Sequence, residues 1–207
     1  MTATEPVRVA ILVFDEVEVL DCSGPFEVFS VANRVLARRG EPARFDVRLV
    51  ATTPQVIARG GLPLGTTTLS QAPDADLLLV AGGVTTDAER DPAVLEYVAG
   101  SRAWLRASVC TGAFVLAAAG VLTDQTVTTH AEDVDDLAAR WPALRVLRGR
   151  RWVRDGDVFT SGGISAGIDL SLHLVSVLAG TDLARATATQ MEYRWDDADK
   201  KPVGEAG

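Results

Sequence analysis

The segment Ala107-Ser-Val-Cys-Thr-Gly-Ala113 runs directly into the apolar stretch Phe114-Val-Leu-Ala-Ala-Ala-Gly120. It reads as a buried strand turning sharply into a helix, with Cys110 at the turn. A thiol at that elbow meets the positive end of a helix dipole, so its pKa is expected to fall and its reactive thiolate form to grow. The amides of Thr111 and Gly112 stand at the helix start, where backbone N–H groups have no helical partner and can steady an anion. Gly82 and Gly83 close another buried strand, Asp76-Leu-Leu-Leu-Val80, and a glycine there lets backbone approach a ligand. The Gly83 amide is the expected donor to an anion developing beside Cys110. Asp21 follows the first strand. A carboxyl group next to a thiolate is disfavoured as an anion, so Asp21 is expected to keep its proton to higher pH and to serve as acid and base.

The elements that must hold these groups alternate between strands and helices. Val7-Arg-Val-Ala-Ile-Leu-Val-Phe14 and Phe45-Asp-Val-Arg-Leu-Val50 read as strands, and Gly24-Pro25 opens a helix whose apolar side carries Phe26, Phe29, Val31 and Val35. Residues 54–70 suggest a small hairpin or crossover. Asp91-Pro92 is an N-cap followed by proline at the first helical position, starting a helix to about Ala103. Thr126–Thr129 is a short strand, Trp152–Phe159 a hairpin turning at Asp155-Gly156, Ser165–Ala179 a long helix after Ser161-Gly-Gly163, and Thr181–Tyr193 a last helix. Such alternation implies a mostly parallel sheet covered on both faces, with ligands gathered at the carboxyl ends of the strands. Asp21, Gly82-Gly83, Cys110 and Gly162-Gly163 all fall at such ends and are expected to share one crevice.

The 207 residues, 47% of them apolar, fit one domain spanning 1–207, with a core of about 7–193 and a frayed polar tail at 196–207. A chain of this size buries roughly 70% of its extended surface. No apolar run approaches the ~18 residues of a membrane span, and Met1–Pro6 carries no signal-like core, so a cytoplasmic protein without membrane association is expected. A net charge of −8 argues against nucleic acid as a partner. The one basic cluster, Arg145, Arg148, Arg150, Arg151 and Arg154, reads as a solvated face or subunit contact. The two cysteines, Cys22 and Cys110, form no disulfide framework, and the two histidines, His130 and His173, suggest no metal site. Cys22 reads as packing.

Five segments together resemble one family. Leu20-Asp-Cys-Ser-Gly-Pro-Phe-Glu-Val-Phe29, Val80-Ala-Gly-Gly83, Ser108-Val-Cys-Thr-Gly112, Thr128-Thr-His130 and Thr160-Ser-Gly-Gly-Ile-Ser-Ala-Gly-Ile-Asp169 are similar, in that order, to the ThiJ/PfpI superfamily with its class I glutamine-amidotransferase-like fold. Within it they look most like the isonitrile hydratase branch. The resemblance implies a flavodoxin-like α/β three-layer sandwich with a nucleophile elbow at Cys110. It also implies Cys110 as nucleophile, Asp21 as the adjoining carboxylate and Thr111 as an orienting neighbour. Gly82, Gly83, Gly112, His130, Gly162, Gly163 and Ile164 would line the substrate site. The implied reaction adds water to an isocyanide through a cysteine thioimidate, on a small-molecule substrate, without cofactor and in a homodimer; the apolar helix near Pro25–Leu36 is the interface the sequence offers.

Two departures qualify it. Protease-like members place His after the nucleophile, where this chain has Thr111, and Ala131 stands where hydratase-like members often carry an aromatic. His130 reads first as a hydrogen-bonded packing histidine. Two other functions fit the family. One is a small-molecule or redox sensor like the sensor domains of AraC-type regulators, although the tail from Asp196 is expected to be too short for a DNA-binding module. The other is glyoxalase- or deglycase-like action on 2-oxoaldehydes, whose enzymes carry Glu at the position of Asp21.

Overall fold

The structure, a computed structural model, describes residues 5–195. In chain order the elements are β1 (Val7–Leu12), α1 (Val19–Arg38), β2 (Phe45–Ala51), β3 (Gln55–Ile57), β4 (Pro63–Gly65), β5 (Thr67–Thr68), β6 (Leu77–Val80), α2 (Pro92–Gly100), β7 (Leu105–Val109), α3 (Gly112–Ala118), β8 (Thr126–Val127), α4 (Val134–Arg140), β9 (Arg145–Val146), β10 (Trp152–Asp155), β11 (Val158–Ser161), α5 (Ala166–Ala179) and α6 (Thr181–Gln190). Seven strands form the central sheet in the order β10-β11-β7-β6-β1-β2-β5. All its pairs are parallel except the β10–β11 hairpin at the edge.

The three middle strands explain the parallel arrangement. Leu77, Leu78, Leu79 and Val80 of β6 are all fully buried, so both faces of that strand are covered. Each such side chain contributes about 1.5–3 kcal/mol on leaving water. Helices α1, α5 and α6 pack together on the sheet, while α2 and α3 pack with one another and α3 sits on β6 and β7. The result is the mostly parallel sheet covered on both faces that the alternation of elements implies, in the flavodoxin-like sandwich that the family resemblance implies. No helix among the described residues is long and apolar enough to cross a membrane.

Several details differ from the sequence reading. Helix α1 starts at Val19, five residues before Gly24, and Pro25 lies inside it. Docking, not proline, fixes that start: the Glu18 N–H donates to the Gly82 carbonyl at 2.8 Å, and Val17 bridges to Gly83. Proline 25 has no N–H for the Asp21 carbonyl one turn earlier, a loss the packed helix tolerates. Asp21 therefore stands in the first turn of a helix and not in a loop. Residues 54–70 do contain a hairpin, β3–β4. The 126–129 strand is shorter than expected and pairs with β9 outside the main sheet. The last helix ends at Gln190, before a turn in which Glu192 has φ 50°. The tail from 196 lies outside the described residues.

Candidate functional site

Cys110 sits between β7 and α3 with φ 56°, a left-handed conformation uncommon for a residue with a Cβ. Such strain persists only where the surroundings over-determine it. Here the Cys110 N–H donates to the carbonyls of Ser161 (3.1 Å) and Gly162 (3.2 Å), and the Thr129 hydroxyl donates to the Cys110 carbonyl at 2.9 Å. The elbow is thus bolted on one side to the end of β11 and on the other to the segment after β8. Thr129 and Ser161 stand inside two of the motif segments, but only the three-dimensional path of the chain shows that they fasten Cys110.

Asp21 reaches the elbow from α1. A Cβ built on Gly82 would lie 2.7 Å from Asp21 Oδ2, from Cys110 Cβ and from the Thr111 nitrogen alike. Gly82 is therefore the gap across which carboxyl and thiol face each other, and only glycine fits. Asp21 is fully buried, and neither carboxylate oxygen has an in-line hydrogen-bond partner among the described residues. Burial pushes its pKa up to about 7; the Cys110 thiol and the backbone of Gly82 and Ile164 pull the other way more weakly, and the charge of Glu18 adds to the rise. The rise was expected, but its main cause is burial and not the thiol.

The expectation for the thiol itself is overturned. Burial pushes Cys110 up to about 12, the Asp21 charge adds to this, and the Thr111 amide and hydroxyl oppose it too weakly. Helix α3 has only seven residues, and the dipole of a helix this short does not offset desolvation. Cys110 and Asp21 thus form a coupled pair in which both groups are biased toward their protonated forms. Cys22, buried beside Asp21, is also pushed up, to about 11, by burial, and its thiol contacts the Val19 carbonyl at 3.2 Å.

Thr111 fastens the opposite wall. Its hydroxyl donates to the Gly83 carbonyl at 2.8 Å and accepts from the Gly83 N–H at 2.9 Å. The Gly83 amide is thereby committed, which corrects its expected role as free donor to a developing anion. Gly83 instead serves close packing: its φ is 144°, and a Cβ there would lie 2.7 Å from the Glu18 nitrogen and from Val17 Cα. Gly112 abuts the Val80 and Ala81 carbonyls and lets α3 begin against the end of β6. The amides left for an anion at the elbow are those of Thr111 and Gly112, below which the helix has no carbonyl.

The β11–α5 loop completes the enclosure. Gly162 donates to the Arg151 carbonyl at 2.9 Å and is scaffold for the elbow. Gly163 lies against the His130 ring, whose Nε2 would be 2.9 Å from an added Cβ. The His130 Nδ1 accepts from the Glu132 N–H at 3.3 Å, and Asp133 Oδ2 lies at the same distance from it. Ile164 has φ 51°, turns its backbone toward Asp21 and leaves 41% of its surface exposed. The structure thus brings Asp21, Gly82, Cys110, Thr111 and the 162–164 loop together, with His130 on the Gly163 side. In the basic cluster, Arg148 pairs with Asp135 and Arg151 with Asp169.

Residues 7–177 match the DJ-1/PfpI family. The chain belongs to that family. It is 36% identical over 193 residues to an isonitrile hydratase of Pseudomonas putida, a match covering 90% of this chain and 78% of that one. It is 33% identical over 150 residues to the HTH-type transcriptional regulator GlxA of Rhizobium meliloti (strain 1021), covering 70% of this chain but only 46% of the regulator. Among solved structures, a ThiJ/PfpI family protein from Pseudomonas syringae superposes with TM-score 0.81 at 28% identity, covering 98% of this chain and 81% of that one.

Proposed function

We propose that this DJ-1/PfpI protein is a hydratase that adds water to an isocyanide and releases an N-substituted formamide. The observation that carries the reading is the buried Asp21 carboxyl facing Cys110 across Gly82, in a chain 36% identical to an isonitrile hydratase. The terminal carbon of an isocyanide accepts both a nucleophile and a proton, and a thiol–carboxylate pair supplies both without a cofactor.

In this mechanism Asp21 takes the thiol proton as Cys110 Sγ bonds to the terminal carbon. The same proton passes to that carbon, which becomes the C–H of an enzyme-bound thioimidate. Asp21 then takes a proton from water as its oxygen adds to the carbon, and passes that proton to the nitrogen. Cleavage of the C–S bond leaves the formamide, and the proton of the added hydroxyl returns to sulfur through Asp21. Thr111 holds the elbow in register with Gly83, the Thr111 and Gly112 amides face the charge that develops, and His130, Gly163 and Ile164 border the substituent. The active form is a cytoplasmic homodimer acting on a small molecule.

Turnover of phenyl isocyanide to N-phenylformamide tests the reading. The wild type is expected to turn over, and Cys110→Ser and Asp21→Asn to fall at least 1000-fold. Near-normal rates in Asp21→Asn would sink the assignment. Absence of turnover in the wild type would instead favour a sensing role of the kind the regulator relatives suggest.

A further inference from the structure

A second carboxylate stands at the same helix start. Glu18 precedes α1, and its backbone meets that of Asp21: the Asp21 N–H donates to the Glu18 carbonyl at 3.0 Å. Glu18 does not cap the helix with its side chain. That side chain instead meets Arg59, whose Nη1 lies 3.7 Å from Glu18 Oε2. Arg59 belongs to the turn of the β3–β4 hairpin, which is tied to the segment before α1 by three hydrogen bonds. Glu16 N–H donates to the Ile57 carbonyl (2.8 Å), Arg59 N–H to the Val17 carbonyl (3.0 Å), and Ile57 N–H to Asp15 Oδ1 (2.7 Å). A small arm outside the main sheet thus delivers a cation to the one carboxylate spaced a single turn from Asp21.

We propose that the Arg59–Glu18 ion pair is a positioning device that sets the charge felt by the Asp21–Cys110 pair, with Arg59 neutralising Glu18. The inference rests on the Asp21–Cys110 assignment above. The ionisable groups around Asp21 are Cys110 from the β7–α3 elbow, Cys22 on α1 itself and Glu18, with His130 across Gly163. Residues three apart on a helix are close neighbours, so an unneutralised Glu18 opposes ionisation of Asp21.

The test is the pH dependence of Cys110 alkylation by iodoacetamide in the full chain, which needs no isocyanide turnover and so fails or succeeds independently of the hydratase reading. Arg59→Ala is expected to move the apparent pKa up by about 0.5 and Glu18→Gln to move it down by a similar amount. Arg59→Ala added to Glu18→Gln is expected to have no further effect, and Arg59→Lys to keep the wild-type profile. The arginine effect is expected to shrink in about 1 M salt, because Arg59 is half exposed. An unshifted profile in Arg59→Ala, an equal shift in the Glu18→Gln background, or an equal shift in Arg59→Lys overturns the proposal.

Discussion

Replacing Asp21 by Asn should change how stability depends on pH, in a direction opposite to the usual behaviour of paired carboxylates. In the folded chain burial raises the Asp21 pKa from 3.8 to about 7, so between those values the folded state holds a proton the unfolded state has released. Stability then falls as pH rises, since its slope follows the protons bound by the unfolded state minus those bound by the folded one. At about 1.4 kcal/mol per tenfold change, the span amounts to roughly 4 kcal/mol lost by the wild type between about pH 4 and pH 8. Asparagine does not titrate, so the asparagine variant escapes this loss whatever constant cost its buried amide adds. Urea denaturation of both proteins across that range, read by tryptophan fluorescence, gives the comparison. The stability of Asp21→Asn minus that of wild type should climb with pH, most steeply below pH 7. Cys110, pushed up to about 12, contributes nothing in the window. Two parallel curves would refute the reasoning, as would a variant that loses ground as pH rises.

Three further substitutions probe the walls of the site. Gly82→Ala puts a methyl group 2.7 Å from the Thr111 nitrogen, Cys110 Cβ and Asp21 Oδ2; overpacking of this kind costs about 1–3 kcal/mol and a displacement near 1 Å costs about 100-fold in turnover, so kcat/KM for phenyl isocyanide should drop by that order with a lower denaturation midpoint. Thr111→Val strips the Gly83 N–H and carbonyl of their shared partner, and should cost about 1–3 kcal/mol in urea denaturation together with a fall in kcat larger than any change in KM. Thr129→Val removes the hydroxyl from the Cys110 carbonyl in a buried setting, and should destabilise by about 1–3 kcal/mol while relaxing the left-handed elbow, read as a slower alkylation of Cys110.

Much of this arrangement is legible in the chain. The apolar runs at 7–14 and 76–80 mark strands because burial on both sheet faces demands near-continuous hydrophobicity, and the alternation of Phe45–Val50 marks a strand with one face less covered. The Asp91-Pro92 start of α2 is equally local, with Asp91 Oδ1 accepting from the Ala93 N–H at 2.9 Å. The start of α1 is not local: Pro25 is a strong nearby signal, but the deciding contact, Glu18 to Gly82, joins residues 64 apart in sequence. The thiol departs from expectation for a related reason. A dipole argument needs only the local elbow, but desolvation by the surrounding core and the charge of Asp21 are properties of the assembled fold. Gly83 shows the same limit: its glycine identity signals close approach, yet sequence does not reveal that Thr111 consumes its amide. Thr129 and Ser161 stand inside motif segments whose spacing does not show what they touch, and the Arg59–Glu18 pair joins distant residues outside any motif.

The central claim is that Cys110 forms a covalent bond to the isocyanide carbon. Wild-type protein mixed with phenyl isocyanide, quenched in acid during turnover and mapped by peptide mass spectrometry, tests it most directly. The account predicts an added mass of one isocyanide on the peptide that carries Cys110, transient and gone once substrate is exhausted. Steady formation of N-phenylformamide with Cys110 unmodified throughout would contradict it.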